Sequence, residues 1–481
     1  MHLPPSRRTF RIVALSGALL YLFTAITTPG IIAIDDYADV MSRILPAQDH
    51  SVEEIAAKAG FRSPFTNLTQ LAIVKTAYAM GVTHPLTQLR IDLAVIGLFS
   101  FCVILWAGVT MFAGYPEPDR SRHRVVFAGL LGFYFAASLL LTRPMIESMS
   151  APVLAAAAAL ACRYQLTGKR WPLLLSIVSL TIASMHRPQV GVCAFALVAL
   201  VTWLRRWKDL AVVAAVGAVC TLASGMLDYW LIGEFHGTLR RYIAINMEYS
   251  RGWERSPWYT FPLLFLGMSI PPAFFLRYRG LDWKARYGPL LPVVLFFTAF
   301  LAVHMAISHK EERFMIPALP LFLILLTPLL AYLIERRQEY RWRLWYFGAV
   351  NAVLLLLTVT SAPQRATLKL AEYVDKHPDV TRVTKVGDYL LVPTVFISRP
   401  VMVRKIKELD EGARACGGVV VALALTPTGR AVAADPRFTQ VGLYQPGPLE
   451  RLFVAINPKH NARRGPIVVM RPSQCEGSGE R

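Results

Sequence analysis

The chain has 481 residues, of which 54% are hydrophobic and 17% are charged, whereas a soluble domain carries about 25% charged residues. The formal net charge is +20, but the basic residues stand in short clusters between long apolar blocks. Such clusters are typical of the cytoplasmic loops of membrane proteins. The composition therefore excludes an ordinary soluble protein and argues against a nucleic-acid partner.

Taken in chain order, about eleven apolar blocks approach the roughly 20 residues that a helix needs to cross a bilayer. The first block follows Arg7, Arg8 and Arg11 and is longer than the core of a cleaved signal peptide, so it predicts an uncleaved membrane helix. The predicted spans are centred near Leu20, Phe101, Gly132, Ala157, Ser179, Leu197, Val216, Met268, Thr298, Ile324 and Leu354. We expect a mainly α-helical, multi-pass membrane protein.

The charges of the loops predict an orientation. If the N-terminus is cytoplasmic, every second loop carries a basic cluster, such as the one formed by Arg120, Arg122 and Arg124. The opposite loops are short, or they combine both charges with aromatic residues. This positive-inside pattern predicts a cytoplasmic N-terminus and an extracytoplasmic C-terminus.

The first outer loop, about residues 35–88, is too long for a simple connection, and long loops are often functional. Within it, Ser51 and Glu54 form a capping box that predicts a helix over residues 51–58. Apolar spacing predicts a second helix over residues 68–80. We expect both helices to lie against the membrane surface.

The composition changes after the last apolar block, which predicts a membrane domain over residues 1–361 and a small extracytoplasmic α/β domain over residues 362–481. Strand-like runs cover residues 419–425 and 467–470, and helical patterns cover residues 367–376 and 403–414. Cys416 and Cys475 both fall in this domain. In an oxidising compartment they form either a disulfide or two unpaired thiols.

An acidic pair, Asp35 and Asp36, directly follows the first span. A charge at membrane depth costs about 2.5–3.5 kcal/mol on insertion scales, which suggests a use for the pair. Mutual repulsion and partial burial would raise the pKa of one carboxyl and suit it to act as a general base. Alternatively, the pair is a solvated helix end.

Two short outer turns carry further charge. Arg143 and Glu147 stand at i, i+4 and either form an ion pair with each other or leave Arg143 to hold an anion. In the second turn, His186 and Arg187 precede Pro188, which interrupts the helix. Arg187 at membrane depth requires a counter-charge, either a carboxylate or a lipid phosphate.

A third short outer loop is the most informative segment. It combines three potential cations, His309, Lys310 and Arg313, with two acids, Glu311 and Glu312. Arginine suits bidentate phosphate recognition and lysine supplies a point charge, so the loop is either an anion site or a self-neutralised cluster.

The fourth outer loop contains Glu248, Trp258 and Tyr259. Its aromatic side chains suit either the membrane interface or stacking on sugars. The sequence contains no phosphate-binding glycine loop, no dinucleotide fingerprint and no Cys/His metal spacing. The expected signals of a nucleotide site or a metal site are thus missing from the sequence.

Segment by segment, the chain resembles the lipid-dependent mannosyltransferases of glycosyltransferase family 22, which act in lipid-linked oligosaccharide and GPI-anchor assembly. The run from His309 to Phe314, followed by Pro317 and Pro320, resembles the His-Lys-Glu-x-Arg-Phe signature of that family. Looser matches in the family's order are Asp35-Asp36-Tyr37, Thr142-Arg143 through Glu147, Asp228-Tyr229-Trp230 and Ser256-Pro257-Trp258-Tyr259. The resemblance covers residues 1–360.

The resemblance implies a GT-C fold and an inverting transfer of mannose from polyprenyl-phosphate-mannose to a glycolipid or glycan acceptor. It implies that Asp35 or Asp36 is the base, and that neither a cofactor nor a metal is required, although a divalent ion could assist. Candidates to bind the donor phosphate are then Arg187, His309, Lys310 and Arg313. Candidates to bind the rest of the substrates are Arg143, Glu147, His186, Glu248, Trp258, Tyr259, Glu311 and Glu312. Asp36 stands where the family commonly has Glu, and Ser256 where it often has His, so the acceptor is the least defined part.

Three other functions remain open. A GT-C enzyme could use a different lipid-linked sugar, and a transporter or flippase of lipid-linked sugars would carry charges inside its spans. A non-catalytic scaffold would leave the charged loop at His309 unexplained. The absence of an ER-retrieval signal and an Ala- and Arg-rich composition favour a bacterial inner membrane over the ER membrane.

Overall fold

A computed structural model describes residues 7–58, 60, 62–249, 255–270, 281–387, 390–458 and 461–474. The helices in chain order are α1 (Arg7–Thr27), α2 (Val52–Ala57), α3 (Pro64–Ala79), α4 (Pro85–Met111), α5 (Asp119–Phe133), α6 (Ile146–Thr167), α7 (Arg170–His186), α8 (Ala194–Trp203), α9 (Trp207–Ile232), α10 (Gly237–Tyr249), α11 (Thr260–Met268), α12 (Leu291–Ala306), α13 (Leu319–Glu335), α14 (Arg341–Thr360), α15 (Arg365–Lys376), α16 (Pro427–Ala434) and α17 (Pro448–Ile456). Three shorter helices, Ser42–Ile44, Ala137–Leu141 and Trp283–Tyr287, lie between them.

Each predicted span centre lies within a helix, which confirms a mainly α-helical membrane architecture. Among the described residues, seven helical segments are long and apolar enough to cross a membrane. The other predicted spans correspond to the shorter helices α5, α7, α8 and α11.

The chain divides into two compact units. The first unit comprises Met1–Ala25, Ser51–Gln70 and Leu93–Leu356, and the second comprises Ile26–His50, Leu71–Asp92 and Leu357–Arg481. Each unit is thus assembled from segments that lie far apart in the sequence.

In the first unit, α1 and α5 cross where two glycines meet. A Cβ atom added to Gly132 would lie 2.8 Å from the Cα atom of Gly17. Small residues let two backbones approach this closely in a membrane, where dispersion contacts hold helices together. Helix α6 is almost entirely buried and packs against α7. It ends at Gly168, whose φ of +68° favours glycine.

The second unit contains a five-stranded sheet of β1 (Arg382–Val386), β2 (Met402–Ile406), β3 (Gly418–Leu423), β4 (Phe438–Tyr444) and β5 (Ile467–Pro472). The strand order is β2-β1-β3-β5-β4. Strand β1 pairs in parallel with β2 and β3, and β5 pairs in antiparallel fashion with β3 and β4. The predicted small C-terminal α/β domain, its two strand-like runs and its first helix are confirmed.

The helix predicted over residues 403–414 is wrong. Residues Met402–Ile406 form β2, which pairs in register with β1, and Glu411–Arg414 form a single 3₁₀ turn. The segment has no strong local preference, so pairing with a distant strand decides its conformation. Cys416 is disulfide-bonded, whereas Cys475 lies outside the described residues.

The second unit also includes both ends of the first outer loop. Ile31 N donates to Pro363 O at 3.3 Å, and a Cβ atom on Gly30 would lie 2.1 Å from that same oxygen. His84 Nε2 lies 3.5 Å from a carboxylate oxygen of Asp375. Between these ends, the two predicted loop helices are present as α2 and α3, and the Ser51 hydroxyl accepts from Glu54 N at 3.1 Å.

Candidate functional site

The central feature of the first unit is a buried ion pair between Glu147 and Arg187. Glu147 lies in the first turn of α6, and Arg187 follows the last residue of α7. Pro188 holds Arg187 in an extended conformation. The Nη1 group of Arg187 donates to Glu147, and both side chains are 2% exposed. Glu147 at the start of α6 is therefore paired with a residue at the end of α7. The alternative in which it pairs with Arg143, four residues earlier in the chain, is wrong.

Two donors of Arg187 remain available. Within the described part of the chain, its Nε and Nη2 groups are buried and have no hydrogen-bond partner. The guanidinium lies 4.8 Å from the centre of the Phe314 ring. Phe314 is the last residue of the run His309–Phe314, which we call the signature loop. The packing of Arg187 on this ring therefore brings Arg187 and the signature loop together.

Arg143 is fully buried beside the same helix start. Its Nε group donates to Leu139 O at 3.0 Å, which holds the turn between the helix Ala137–Leu141 and α6. Gln70 of α3 donates to Pro144 O at 3.3 Å. The first outer loop thus packs on the turn that carries Arg143 and Glu147.

His186 is buried at the end of α7. Its Nδ1 atom lies 2.9 Å from Thr66 Oγ1, and its ring lies 4.8 Å from that of Phe65. Thr66 and Phe65 both belong to α3, so His186 fixes the end of α7 against α3.

Sequence reasoning missed two polar neighbours of the ion pair, Tyr242 of α10 and Gln189. Gln189 donates to the Tyr242 hydroxyl. Burial raises the pKa of Tyr242, while Arg187 and Glu147 both act on it electrostatically. A lone tyrosine in an amphipathic helix carries no signal of this kind in the sequence.

The signature loop is partly self-neutralised. Glu311 accepts from His309 Nε2 at 3.1 Å and from Arg313 Nε at 2.6 Å. Lys310 donates to the carbonyl oxygens of Ile307 and Ser256, and burial lowers its pKa. Glu312 is exposed. The loop and the buried pair together contain four basic side chains, Arg187, His309, Lys310 and Arg313. Two carboxylates pair with members of this group, Glu147 with Arg187 and Glu311 with His309 and Arg313.

The acidic pair belongs to the second unit. Asp36 begins a π-helix, Asp36–Met41, and is buried, with its Oδ2 atom accepting from Ala33 N at 2.9 Å. Asp35 is half-buried. The next residue, Tyr37, lies 3.4 Å from Thr394 Oγ1 through its hydroxyl, so the acidic turn rests on the C-terminal part of the chain.

The candidates in the fourth outer loop lie on the surface. Glu248, Trp258 and Tyr259 are exposed, and the rings of Trp258 and Tyr259 meet edge to face at 5.8 Å. Ser256 N donates to Ser308 O at 2.9 Å, which joins this loop to the signature loop. Residues 250–254 lie outside the described residues.

A cavity of about 300 Å³ opens beside the Pro188 turn. Helices α7, α8 and α9 line it with apolar and small residues, including Leu180, Ala194 and Gly217. Asp228 and Thr238 also line it, and the Asp228 carboxylate accepts from Thr238 N at 3.0 Å. The cavity can hold a segment of hydrocarbon chain.

Asp92 of α4, in the second unit, is a further acid that sequence reasoning missed. Its side chain is 0% exposed, and both of its carboxylate oxygens have no hydrogen-bond partner among the described residues. The signal in the sequence that could have identified Asp92 is its position as a single acid within an apolar block. No group of three or more His, Cys, Asp or Glu side chains in the described ranges is placed to hold a metal ion.

Comparisons with known proteins agree with this architecture. A family model described as the Alg9-like mannosyltransferase family matches residues 57–399. GPI mannosyltransferase 3 of Eremothecium gossypii is 28% identical over 202 residues, and the match spans 39% of this chain and 32% of that protein.

Solved structures of ArnT from Cupriavidus metallidurans share the fold at 14% identity. The structure bound to undecaprenyl phosphate gives a TM-score of 0.57 over 96% of this chain and 98% of that one. The apo structure gives a TM-score of 0.54 over 95% and 97% of the two chains. The GT-C fold expected from the resemblance is confirmed.

Proposed function

Because the chain belongs to the Alg9-like mannosyltransferase family, we propose that it is an inverting membrane glycosyltransferase. It moves mannose from polyprenyl-phosphate-mannose to a glycolipid or glycan acceptor on the non-cytoplasmic face of the membrane. A bacterial inner membrane, with the N-terminus in the cytoplasm, is the location we infer from composition and loop charge.

The observation that carries the proposal is the hydrogen bonding of the Arg187 guanidinium. Its Nη1 group is engaged by Glu147, while Nε and Nη2, which share one edge of the guanidinium, have no partner among the described residues. These two groups donate in parallel, in the geometry that binds two oxygens of a phosphate. A buried donor without a partner costs about 1–3 kcal/mol, and a bound phosphate would remove that cost.

The surrounding charges suit a departing phosphate. In the transfer, an acceptor hydroxyl oxygen forms a bond to C1 of mannose as the bond from C1 to the phosphate oxygen breaks. Negative charge then collects on the polyprenyl phosphate. Arg187, Arg313, Lys310 and His309 are the groups proposed to stabilise it, because fixed cations in a dry site act strongly on developing charge.

The proton of the acceptor hydroxyl goes to Asp35 or Asp36. Asp36 is the stronger candidate for precise positioning, because it is buried and its carboxylate is held by Ala33 N. Asp35 is the stronger candidate for access, because it is half-buried. Attack from the side opposite to the phosphate inverts the configuration at C1, and the proposal requires no metal.

The lipid part of the donor has a suitable place in the first unit. The cavity lined by α7, α8 and α9 is mostly apolar, and Pro188, the residue after Arg187, is part of its lining. The ArnT structure carries undecaprenyl phosphate, a lipid of the class we propose as carrier. Glu147 would orient Arg187 and Glu311 would orient Arg313, while Arg143 would hold the turn that precedes Glu147. Trp258 and Tyr259 would meet the acceptor sugar.

The transport alternative retains one supporting observation, which is the buried Asp92 within a membrane helix. A charge that faces a translocation path would explain an acid in that position. Flux of a lipid-linked sugar across liposomes, lost in Asp92→Asn, would favour that function over transfer.

The deciding experiment measures transfer from radiolabelled polyprenyl-phosphate-mannose to a panel of glycolipids by purified protein in detergent. We expect transfer by the wild type and by Glu312→Gln, the exposed-acid control. We expect loss in Arg187→Gln and in one of Asp35→Asn and Asp36→Asn. Retention of activity in all three site variants would overturn the proposed site. Flux of a lipid-linked sugar without any transfer would overturn the proposal that the protein is an enzyme.

A further inference from the structure

Helix α17 turns an apolar stripe outward. Leu449, Leu452, Phe453 and Ile456 recur at the i, i+3, i+4, i+7 spacing of one helix face. The last three are exposed, Ile456 at 73%. The residue on the inner side is Glu450, which is buried. The apolar side of α17 therefore faces outward, whereas a surface helix of a soluble domain turns its apolar side toward the core.

Helix α15, in the same unit, shows the usual arrangement. Its apolar residues Leu370, Ala371 and Val374 are buried, and it packs against β4 and β5. Helix α15 buries its apolar side, whereas α17 exposes its own. The exposed stripe is therefore particular to α17 and is not shared by α15. Contiguous exposed apolar residues of this kind indicate a contact with a partner or a membrane.

Hydrogen bonds fix where α17 begins. Leu449 N donates to Ser361 Oγ at 3.1 Å, and the Glu450 carboxylate accepts from Gln364 N at 2.7 Å. Ser361 directly follows the last residue of α14, which is long and apolar enough to cross a membrane. At about 1.5 Å per residue, the far end of α17 lies within roughly 14 Å of its first turn, so the whole stripe stays near the point where the chain leaves the bilayer.

Basic residues border the stripe. Arg451 lies within the helix, and Arg463 and Arg464 follow it. The side chains of Arg451 and Arg463 are exposed, and the Arg464 guanidinium lies 5.5 Å from the centre of the Phe453 ring. An apolar helix face bordered by basic residues suits a surface of acyl chains and anionic phosphates.

We propose that α17 lies in the headgroup layer of the bilayer that the chain spans. Leu452, Phe453 and Ile456 enter the acyl region, and the basic residues contact anionic phospholipids. The sheet of the second unit is thereby held against the membrane surface beside the end of α14. This inference does not depend on the sugar that the protein transfers.

The test uses the full-length chain in nanodiscs with a fluorophore attached through p-azidophenylalanine at position 456 or 402. Met402 is the matched control, because it is 60% exposed and lies on β2, at the opposite edge of the sheet from β4. We expect lipids with a nitroxide near the headgroup to quench position 456 several-fold more than position 402. Aqueous iodide should quench position 402 more strongly.

Equal quenching of the two positions by iodide, with none by nitroxide lipids at position 456, would overturn the proposal. Protection of position 456 from both quenchers would also overturn it, because a protein partner or a second copy would then cover the stripe.

A second pair of variants tests the headgroup contact. Arg451→Gln with Arg463→Gln should abolish the increase in quenching that anionic phospholipid produces at position 456. Lys405→Gln with Lys407→Gln, which removes the same charge near β2, should leave that increase unchanged. If both pairs behave alike, the basic residues beside the stripe do not bind the membrane, and that part of the proposal is overturned.

Discussion

Glu147 and Arg187 form an ion pair across 40 residues of sequence, with both side chains 2% exposed. The pair joins the start of α6 to the end of α7, which pack closely along their lengths. Removal of one partner of a buried pair leaves the other charge uncompensated and typically costs about 3–5 kcal/mol.

A double-mutant cycle measures that coupling. Glu147→Gln and Arg187→Gln should each lower the thermal unfolding temperature in detergent, because each leaves one buried charge without a partner. The double variant should be more stable than the sum of the two losses predicts. Strictly additive losses would mean that the two side chains are stabilised independently.

Arg313 should matter far more for transfer than its neighbour Glu312. Arg313 is held by Glu311 and lies beside Phe314, on which Arg187 packs, whereas Glu312 is exposed. Arg313→Gln should lower kcat/KM for the donor by about 100-fold, the scale of one lost transition-state donor. Glu312→Gln should remain close to the wild type. Equal losses of activity in steady-state kinetics would contradict a specific role for Arg313 in transfer.

Asp375 should give the second unit an acid-sensitive stability. Burial alone would raise its pKa, but hydrogen bonds from Ser398 N at 2.7 Å and Ser398 Oγ at 2.6 Å, together with His84, lower it below the ordinary value. A carboxyl with a lowered pKa in the folded state stabilises the fold above its unfolded pKa of about 3.9, and this stabilisation is lost as pH falls below that value.

Asp375→Asn should therefore lower unfolding temperatures at neutral pH and flatten their decline in acid. The exposed Glu408, changed to Gln, serves as the control and should leave the profile unchanged. A parallel shift of the whole curve in Asp375→Asn would indicate lost packing rather than lost ionisation.

The contact of α1 with α5 should depend on one glycine and tolerate change at another. Gly132→Ala places a methyl group against the Gly17 backbone, and overpacking of this kind costs about 1–3 kcal/mol. Gly129 lies one turn earlier, where an added Cβ would meet its nearest atom at 4.0 Å. Gly129→Ala should stabilise the helix by roughly 0.5–1 kcal/mol. Thermal unfolding that ranks the two variants in the opposite order would contradict this crossing.

Features with local causes were predictable from the sequence. The Ser51 cap, the apolar helices and strands β3 and β5 each follow from a short pattern of residues. The partner of Glu147 was not predictable, because Arg187 and Arg143 both offered a counter-charge and only packing of α6 on α7 distinguishes them. Strand β2 was missed for the same reason, since its pairing with β1 outweighs a weak helical pattern.

The role of Phe314 was likewise hidden. Its place in a signature motif marked the loop, but the 4.8 Å approach of Arg187 to its ring depends on how the Pro188 turn meets the loop. Asp92 carried a visible signal, because it is a lone acid in an apolar block.

The junction of Gly30 with Pro363 has a consequence for how this chain can be altered. Because Pro363 O occupies the space of a side chain at position 30 and accepts from Ile31 N, the acidic turn and the C-terminal segment fit each other as one piece. A chimera that exchanges the tail alone between relatives would inherit a mismatched joint a few residues before Asp36. Exchanging residues 26–50 and 71–92 together with the tail preserves that fit, so these distant stretches are expected to change in concert during evolution.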